Sequence, residues 1–339
     1  MIKLFEPDVG IEEIKSVQNV LQSKLWASGT GTGKVLEFEN KFRKYINSKN
    51  CIAVNSGTAA LNLALSICDI KNKEVILPSL TFVATVNAVI MNGGKPVFVD
   101  IDPNTLNIDP EKIENHISKK TKAILPVHFG GLSCDLNKIN SLAKKHNLKI
   151  IEDAAHAAGA SYKNKKIGSH SMAVCFSFHP IKNLAMPTGG LISINDKNYE
   201  KIRKLLFARR WCGITDRKET LYDVKEIGNN YYMNELSAAI GLIQLKKLDK
   251  LNSIRKKIAK RYYQEIKLNT KMQYDKNCSY HLYWILVKNR DEFRKKLSSY
   301  KIETGTHYKP VHTFSLYKSK AKLKITENVG KSIVTIQCH

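Results

Sequence analysis

Short apolar runs alternate with helix-length segments through the first part of this 339-residue chain. Segments long enough for helices lie between most of these runs, as at 58–67, 81–91 and 136–146. Strands that alternate with helices predict an α/β domain whose central sheet is mostly parallel. The runs that we expect to form its strands are 51–54, 75–77, 97–99, 123–127, 149–151, 173–178 and 191–194.

Two more helices are predicted outside that alternation. Apolar residues spaced three or four apart predict an amphipathic first helix over 11–25. A long helix is predicted from residue 234 to about residue 267, and its length suits a connector between domains. We therefore expect a large domain over 1–249 and a smaller α+β domain over 250–339.

The chain has 55 Lys and Arg residues against 30 Asp and Glu residues, a formal net charge of +25. Such an excess suggests a polyanionic partner. The basic segment at 255–261 lacks interleaved aromatic residues that could stack on bases, so a solvated helix surface is the favoured interpretation. We expect no nucleic-acid partner, and a regulatory or nucleic-acid-binding protein on the same fold is the alternative.

The seven cysteines are widely spread, and none has the spacing of a zinc site. They are typical of reduced thiols, so we expect a cytoplasmic protein with no bound metal. The N-terminus lacks the basic and apolar regions of a signal peptide. No apolar stretch is long enough to span a bilayer, so no membrane partner is expected.

Gly29, Gly31 and Gly33 follow a predicted helix with the spacing G-x-G-x-G. A dinucleotide-binding fingerprint needs G-x-G-x-x-G between a strand and a helix, which disfavours an oxidoreductase. A loop near a substrate is the preferred interpretation.

Segment 54–61 runs from an apolar strand through small residues into a helix. The amides at such a helix N-terminus, together with the Thr58 hydroxyl, would bind a phosphate group. An ordinary N-capped helix is the alternative that this segment alone leaves open.

Two other strand ends carry an acid and a base. Asp153 and His156 follow a strand at the edge where parallel sheets bind ligands, although a structural cap would give the same pattern. Lys182 lies between two apolar strands and precedes a glycine pair, which is unusual for a surface lysine. A phosphate site, a carboxylate and an amine are the set that pyridoxal 5′-phosphate (PLP) requires.

Several segments occur along the chain in a characteristic order: 26–29 (WASG), 55–60 (NSGTAA), 78–85 (PSLTFVAT), 96–100 (PVFVD), 127–131 (VHFGG), 152–156 (EDAAH), 177–183 (SFHPIKN) and 307–312 (HYKPVH). Over nearly its whole length the chain thereby resembles the DegT/StrS-type family of PLP-dependent sugar-nucleotide aminotransferases. The resemblance implies a fold-type I transferase, with a mostly parallel sheet flanked by helices and a smaller C-terminal domain.

The resemblance also implies a reaction and roles for single residues. An amino group would pass from an amino acid, expected to be glutamate, to a keto group of a nucleotide-diphosphate-linked hexose used for polysaccharides or glycoconjugates. Lys182 would be the catalytic residue that binds PLP, and Asp153 would pair with the ring nitrogen. The other implied cofactor contacts are Gly57, Thr58, Ala59, Phe82, His156, Ser177 and Asn230, and the implied substrate contacts are His307, Tyr308 and His312.

In this family a partner subunit completes the phosphate site through the segment that matches 228–233. Asn230 is the implied contact, so the resemblance implies a homodimer with its active sites at the interface. Some family members replace the lysine by histidine and dehydrate the sugar. Lys182 favours transamination, and a sugar dehydratase on the same fold is the alternative.

Three features depart from the family pattern. Pro187 and Thr188 replace a Gly-Glu pair, which removes a carboxylate, and Cys212 stands where many relatives have histidine. Relatives usually continue past the position of His339 with a proline and a terminal helix. We therefore expect a small domain that lacks this helix.

Overall fold

The computed structural model describes residues 1–27, 29, 31–317 and 319–339. Ser28 and Thr30 of the glycine-rich segment lie outside the described residues, and so does Lys318. The helices are α1 (Ile11–Ser23), α2 (Gly33–Ile46), α3 (Gly57–Ser66), α4 (Val83–Met91), α5 (Pro110–Ile113), α6 (Leu136–Lys145), α7 (Tyr199–Arg210), α8 (Glu235–Glu265), α9 (Arg290–Ser299) and α10 (Lys324–Ser332).

The strands include each of the seven apolar runs, within a few residues at each end. They are β1 (Asn50–Val54), β2 (Glu74–Pro78), β3 (Lys95–Val99), β4 (Thr121–Ile124), β5 (Lys149–Asp153), β6 (Ser161–Tyr162), β7 (Lys165–Lys166), β8 (Ala173–Ser177), β9 (Gly190–Ile194), β10 (Ile214–Lys218), β11 (Leu221–Val224), β12 (Tyr283–Leu286) and β13 (Ile333–Ile336).

The central sheet has seven strands in the order β1-β9-β8-β5-β4-β2-β3. Neighbours from β8 to β3 are parallel, whereas β9 is antiparallel to both β1 and β8. All the strands except β9 therefore run in one direction, and their carboxyl ends share one edge. The predicted α/β fold with a mostly parallel sheet is confirmed.

Helices cover both faces of this sheet, which explains why its strands are apolar on both sides. One face packs against α2 and α6, through residues such as Phe42 and Ile139. The other face packs against α3, α4 and α7, through residues such as Leu61, Val86 and Leu206.

The long helix α8 begins where Asn234 caps it, since Asn234 Oδ1 accepts a hydrogen bond from the Ser237 amide at 2.8 Å. It has 31 residues and confirms the predicted long helix. Residue 250, the predicted domain boundary, lies inside α8, so the boundary itself stays a prediction. After α8 the chain adds α9, α10 and the antiparallel pair β12–β13. None of the helices in the described ranges is long and apolar enough to cross a membrane.

A buried ion pair joins α7, α2 and β1. Arg210 is 0% exposed. Its Nη1 atom lies 2.9 Å from Glu39 Oε1 and donates to the Ala53 carbonyl at 2.9 Å. Glu39 Oε1 also accepts the Ala53 amide at 2.8 Å. Both charged groups thus bind the same residue of β1, shortly before the start of α3.

We expect Arg210→Met to lower the free energy of unfolding by about 3 kcal/mol, because it leaves the Glu39 carboxylate buried without its cation. Urea denaturation measures this loss. The control is Lys41→Met, which breaks an exposed pair with Glu37 and should change the unfolding free energy by less than about 0.5 kcal/mol. A loss at Arg210 as small as that of the control would contradict the importance of the buried pair.

Candidate active site

A cavity of about 270 Å³ opens at the shared carboxyl edge of the central sheet. Segments at the ends of β1, β2, β4, β5 and β8 supply most of its walls, and the segment before α10 supplies the rest. Parallel strands bind ligands at this edge, as expected from the sequence. The predicted site residues that line the cavity are Gly57, Thr58, Phe82, Asp153, His156, Ser177, Lys182, His307 and Tyr308.

One end of the cavity is formed by the N-terminus of α3. Ser56 caps this helix, because its Oγ accepts the Ala59 amide at 3.1 Å. Gly57 and Thr58 form the first turn and line the cavity. A Cβ atom at Gly57 would lie 2.7 Å from Ser177 Cβ, so only glycine lets this turn approach β8. First-turn amides have no partner within a helix, which makes this end suitable for an anion.

Asp153 ends β5 at the floor of the cavity and is 5% exposed. Its Oδ2 accepts the Thr85 hydroxyl at 2.8 Å, and its Oδ1 accepts the Ala155 amide at 3.1 Å. Burial raises the pKa of Asp153, while these two donors and the nearby Lys182 ammonium lower it. The carboxylate is thus buried but partnered on both oxygens.

Lys182 enters the cavity from the loop between β8 and β9. Its amide donates to the His179 carbonyl at 2.8 Å, which closes a turn and directs the side chain inward. Burial lowers the pKa of Lys182 to about 8, and the Asp153 carboxylate opposes this shift. About a tenth of the molecules at pH 7 therefore carry a neutral amine at this position, far more than for an ordinary lysine.

His156 lies beside Asp153 and contacts Tyr308. Its Nδ1 accepts the Gly130 amide at 3.3 Å, so the neutral ring carries its proton on Nε2. Nε2 then donates to the Tyr308 hydroxyl oxygen at 3.1 Å. Burial, with a smaller contribution from the Lys182 charge, lowers the pKa of His156 well below its usual value. His156 therefore stays a neutral donor at physiological pH.

Three predicted site residues do not line the cavity. The Ala59 amide is already bonded to Ser56 Oγ. Asn230 is exposed, and its carbonyl accepts the Asn55 side-chain amide at 3.1 Å. His312 is buried beside the cavity, with Nδ1 at 2.6 Å from Ser79 Oγ and Nε2 at 3.3 Å from Glu327 Oε1.

Of the residues that depart from the family pattern, one lines the cavity and another lies outside it. Thr188 lines the cavity and donates its hydroxyl to the Asn55 carbonyl. Cys212 is exposed outside the cavity.

Two residues that the sequence did not single out contact the charged groups of Asp153 and Lys182. Thr85 donates to Asp153, and it follows β2 at the same edge, so its place after a strand was a usable signal. His281 Nε2 lies 3.4 Å from Lys182 Nζ. His281 precedes β12, far along the chain, and no local pattern connects it with Lys182.

In the part of the chain that the structure describes, no group of three or more His, Cys, Asp or Glu residues could hold a metal ion.

A comparison with protein families decides the family of this chain. The model of the DegT/DnrJ/EryC1/StrS aminotransferase family matches residues 7–339. The chain belongs to this family. Among its relatives, the spore coat polysaccharide biosynthesis protein SpsC of Bacillus subtilis is 40% identical over 332 residues, which cover 93% of this chain and 85% of SpsC.

Two further family relatives have names that state an activity. The UDP-4-amino-4,6-dideoxy-N-acetyl-beta-L-altrosamine transaminase of Campylobacter jejuni is 36% identical over 355 residues, covering 100% of this chain and 93% of that protein. The solved structure of Helicobacter pylori PseC, an aminotransferase involved in the biosynthesis of pseudoaminic acid, has a TM-score of 0.93 and 31% identity, covering 100% of this chain and 94% of that one. The predicted class of enzyme, a sugar-nucleotide aminotransferase, is confirmed at the level of the family, and aminotransferases of this family depend on PLP.

We expect the amine of Lys182 to titrate near pH 8 in the protein without cofactor. Below that pH, the rate of covalent capture of added PLP should rise about tenfold per pH unit, because only the neutral amine attacks the aldehyde. Above it, the rate should level off. Stopped-flow absorbance measures this profile, and Lys182→Ala should abolish the fast phase. A midpoint near that of an ordinary lysine would contradict the effect of burial.

Proposed function

We propose that this chain binds PLP in the cavity and transfers an amino group from glutamate to a keto group of a nucleotide-diphosphate-linked hexose. The observation that carries the proposal is one cavity that joins Lys182, buried Asp153 and the N-terminus of α3. An amine, a carboxylate and an anion site are the three groups that PLP requires. PLP supplies an electron sink that stabilises negative charge at the donor carbon.

The phosphate would lie at the N-terminus of α3. Gly57, Thr58 and Ser177 supply amides and hydroxyls there, and the helix dipole favours an anion. The amide of Ala59 is engaged by Ser56, so Ala59 would contribute through the shape of the first turn. Such an anchor would orient the rest of the cofactor toward Lys182, which lines the same cavity.

The ring would lie between Phe82 and the floor of the cavity. Phe82 is 56% exposed, so its ring is free to stack on a planar ligand. Asp153 would hold a proton on the ring nitrogen, since its oxygens are fixed by Thr85 and Ala155. His156 would lie near the ring hydroxyl as a neutral side chain, held by its hydrogen bonds to Gly130 and Tyr308.

Lys182 would first bind the cofactor and then, once displaced by the donor amine, move a proton at the donor carbon. Its low pKa supports this role, because a base must be neutral near physiological pH before it can accept a proton. His307 and Tyr308 line the cavity and would contact the sugar. His312 would act indirectly, through Ser79 and Glu327.

The assembly that we propose is a homodimer in which Asn230 of the partner subunit completes the phosphate site. Two features support it. Asn230 lies outside the cavity of its own chain, and apolar side chains near it are exposed. Ile227, for example, is 95% exposed, which favours burial against a second copy.

We expect Lys182→Ala to abolish transamination, with a loss of at least about 10³-fold in kcat, because the variant lacks both the covalent anchor and the base. The measurement is mass spectrometry of the sugar product with ¹⁵N-labelled glutamate as donor. Lys144→Ala, an exposed lysine on α6, is the matched control and should keep full activity. Borohydride should trap PLP on Lys182 in the wild-type protein.

A dehydrated product without nitrogen would instead establish the dehydratase alternative. Full labelled-amine transfer by Lys182→Ala would overturn the proposed role of this lysine.

Mixed dimers test the interface site. We expect Lys182→Ala and Asn230→Ala proteins to be nearly inactive alone and, when refolded together, to recover about a quarter of wild-type activity, because half of the dimers are hybrids with one intact site. Light scattering should report a dimer for each variant. If the mixture stays inactive while Asn230→Ala alone is impaired, Asn230 acts within its own chain.

A further inference from the structure

His281 contacts the lysine at the centre of the cavity but has no role in the function proposed above. Its Nε2 lies 3.4 Å from Lys182 Nζ. The residue is 2% exposed, and its amide donates to the Gly130 carbonyl at 3.0 Å. The backbone that carries this ring is therefore tied to the segment after β4.

Packing fixes the orientation of the His281 ring. Phe5 stacks on it, with ring centroids 5.1 Å apart and an angle of 15° between the planes. The His156 ring lies on another side, with a centroid distance of 4.3 Å. Among the described residues Nδ1 of His281 has no hydrogen-bond partner. Lys182 is thus the polar side chain to which the ring is directed.

The chemistry of the two groups fixes the direction of this contact. An ammonium group has three donors and no acceptor, so in a contact with Lys182 the imidazole Nε2 must accept. A neutral imidazole can do so, whereas an imidazolium cannot. Burial and the neighbouring Lys182 charge lower the pKa of His281 well below its usual value, which keeps the ring neutral.

We propose that His281 is a positioning residue that accepts a hydrogen bond from the Lys182 ammonium through Nε2, and so sets the direction and the proton affinity of that amine. The proposal rests on the proposed function, in which Lys182 alternates between a covalent anchor and a base. A lysine side chain has several rotatable bonds, and an amine that must return to one carbon atom needs a fixed partner.

Other titratable groups surround the same amine, and the effect of His281 must be separated from theirs. Asp153 is the acid at the floor of the cavity and raises the pKa of Lys182. The groups that face Lys182 from the surrounding segments are His156, His179, His307, Tyr308, Arg255, the N-terminal residues Glu6 and Asp8, and the C-terminal His339. A variant at position 281 leaves all of them in place.

The first test is the pH profile of PLP capture by Lys182 in variants of His281. His281→Phe and His281→Leu remove the acceptor, so the pH of half-maximal rate should fall by up to about one unit, since a hydrogen bond to the ammonium favours its charged form. His281→Gln returns a polar acceptor, so its pH of half-maximal rate should lie close to the wild-type value. A purely structural role would lower the melting temperature and leave that pH unchanged.

His170→Phe is the matched control for the histidine exchange. The ring of His170 packs against Tyr162, and the residue does not line the cavity. We expect the pH of half-maximal PLP capture in His170→Phe to equal the wild-type value. Wild-type profiles in both apolar variants of His281 would overturn the proposal.

A second measurement uses the unmodified protein, so its result does not depend on whether the variants fold. With ¹⁵N-labelled histidine, Nε2 of His281 should show the chemical shift of an unprotonated nitrogen at pH 7, and this shift should change as Lys182 titrates near pH 8. A protonated Nε2 would overturn the proposal. If Lys182 does not capture PLP at all, the proposed function fails, while the nitrogen shift still decides the contact between His281 and Lys182.

Discussion

The common direction of the strands is the constraint on which the site depends. Every strand of the central sheet except β9 presents its carboxyl end to one edge. Residues separated by more than a hundred positions, such as Thr58 and Lys182, thereby line one cavity. The parallel pairing of β5 with β8 sets Asp153 opposite Cys175, just before the segment that leads to Lys182. If β8 ran antiparallel to β5, the segment that carries Lys182 would leave the sheet at the edge opposite Asp153.

The phosphate end of the cavity relies on packing behind it. Arg210 and Glu39 both bind Ala53, and β1 then runs directly into Gly57 and the first turn of α3. Behind that turn, Gly57 leaves room for Ser177 on β8. The buried ion pair and the close glycine contact thus orient the helix N-terminus, although neither is itself a ligand.

In and around the cavity, one pair of opposite charges is surrounded by neutral histidine rings. Lys182 and Asp153 lower the cost of burying each other, since each charge stabilises the ionised form of the other. His156, His281 and His307 surround them, and burial keeps the pKa of all three low. The histidines therefore supply directional hydrogen bonds without adding charge to the site.

The sequence by itself determined the alternation of strands and helices, the long helix α8, and the family, because periodicity and short motifs are local properties of the chain. It also placed Asp153 and Lys182 at strand ends, where a parallel sheet brings them together. Only the tertiary structure decided that Thr85 holds Asp153, that His281 faces Lys182, and that His312 lies outside the cavity. These contacts join segments distant in sequence, and their distances depend on how whole elements pack.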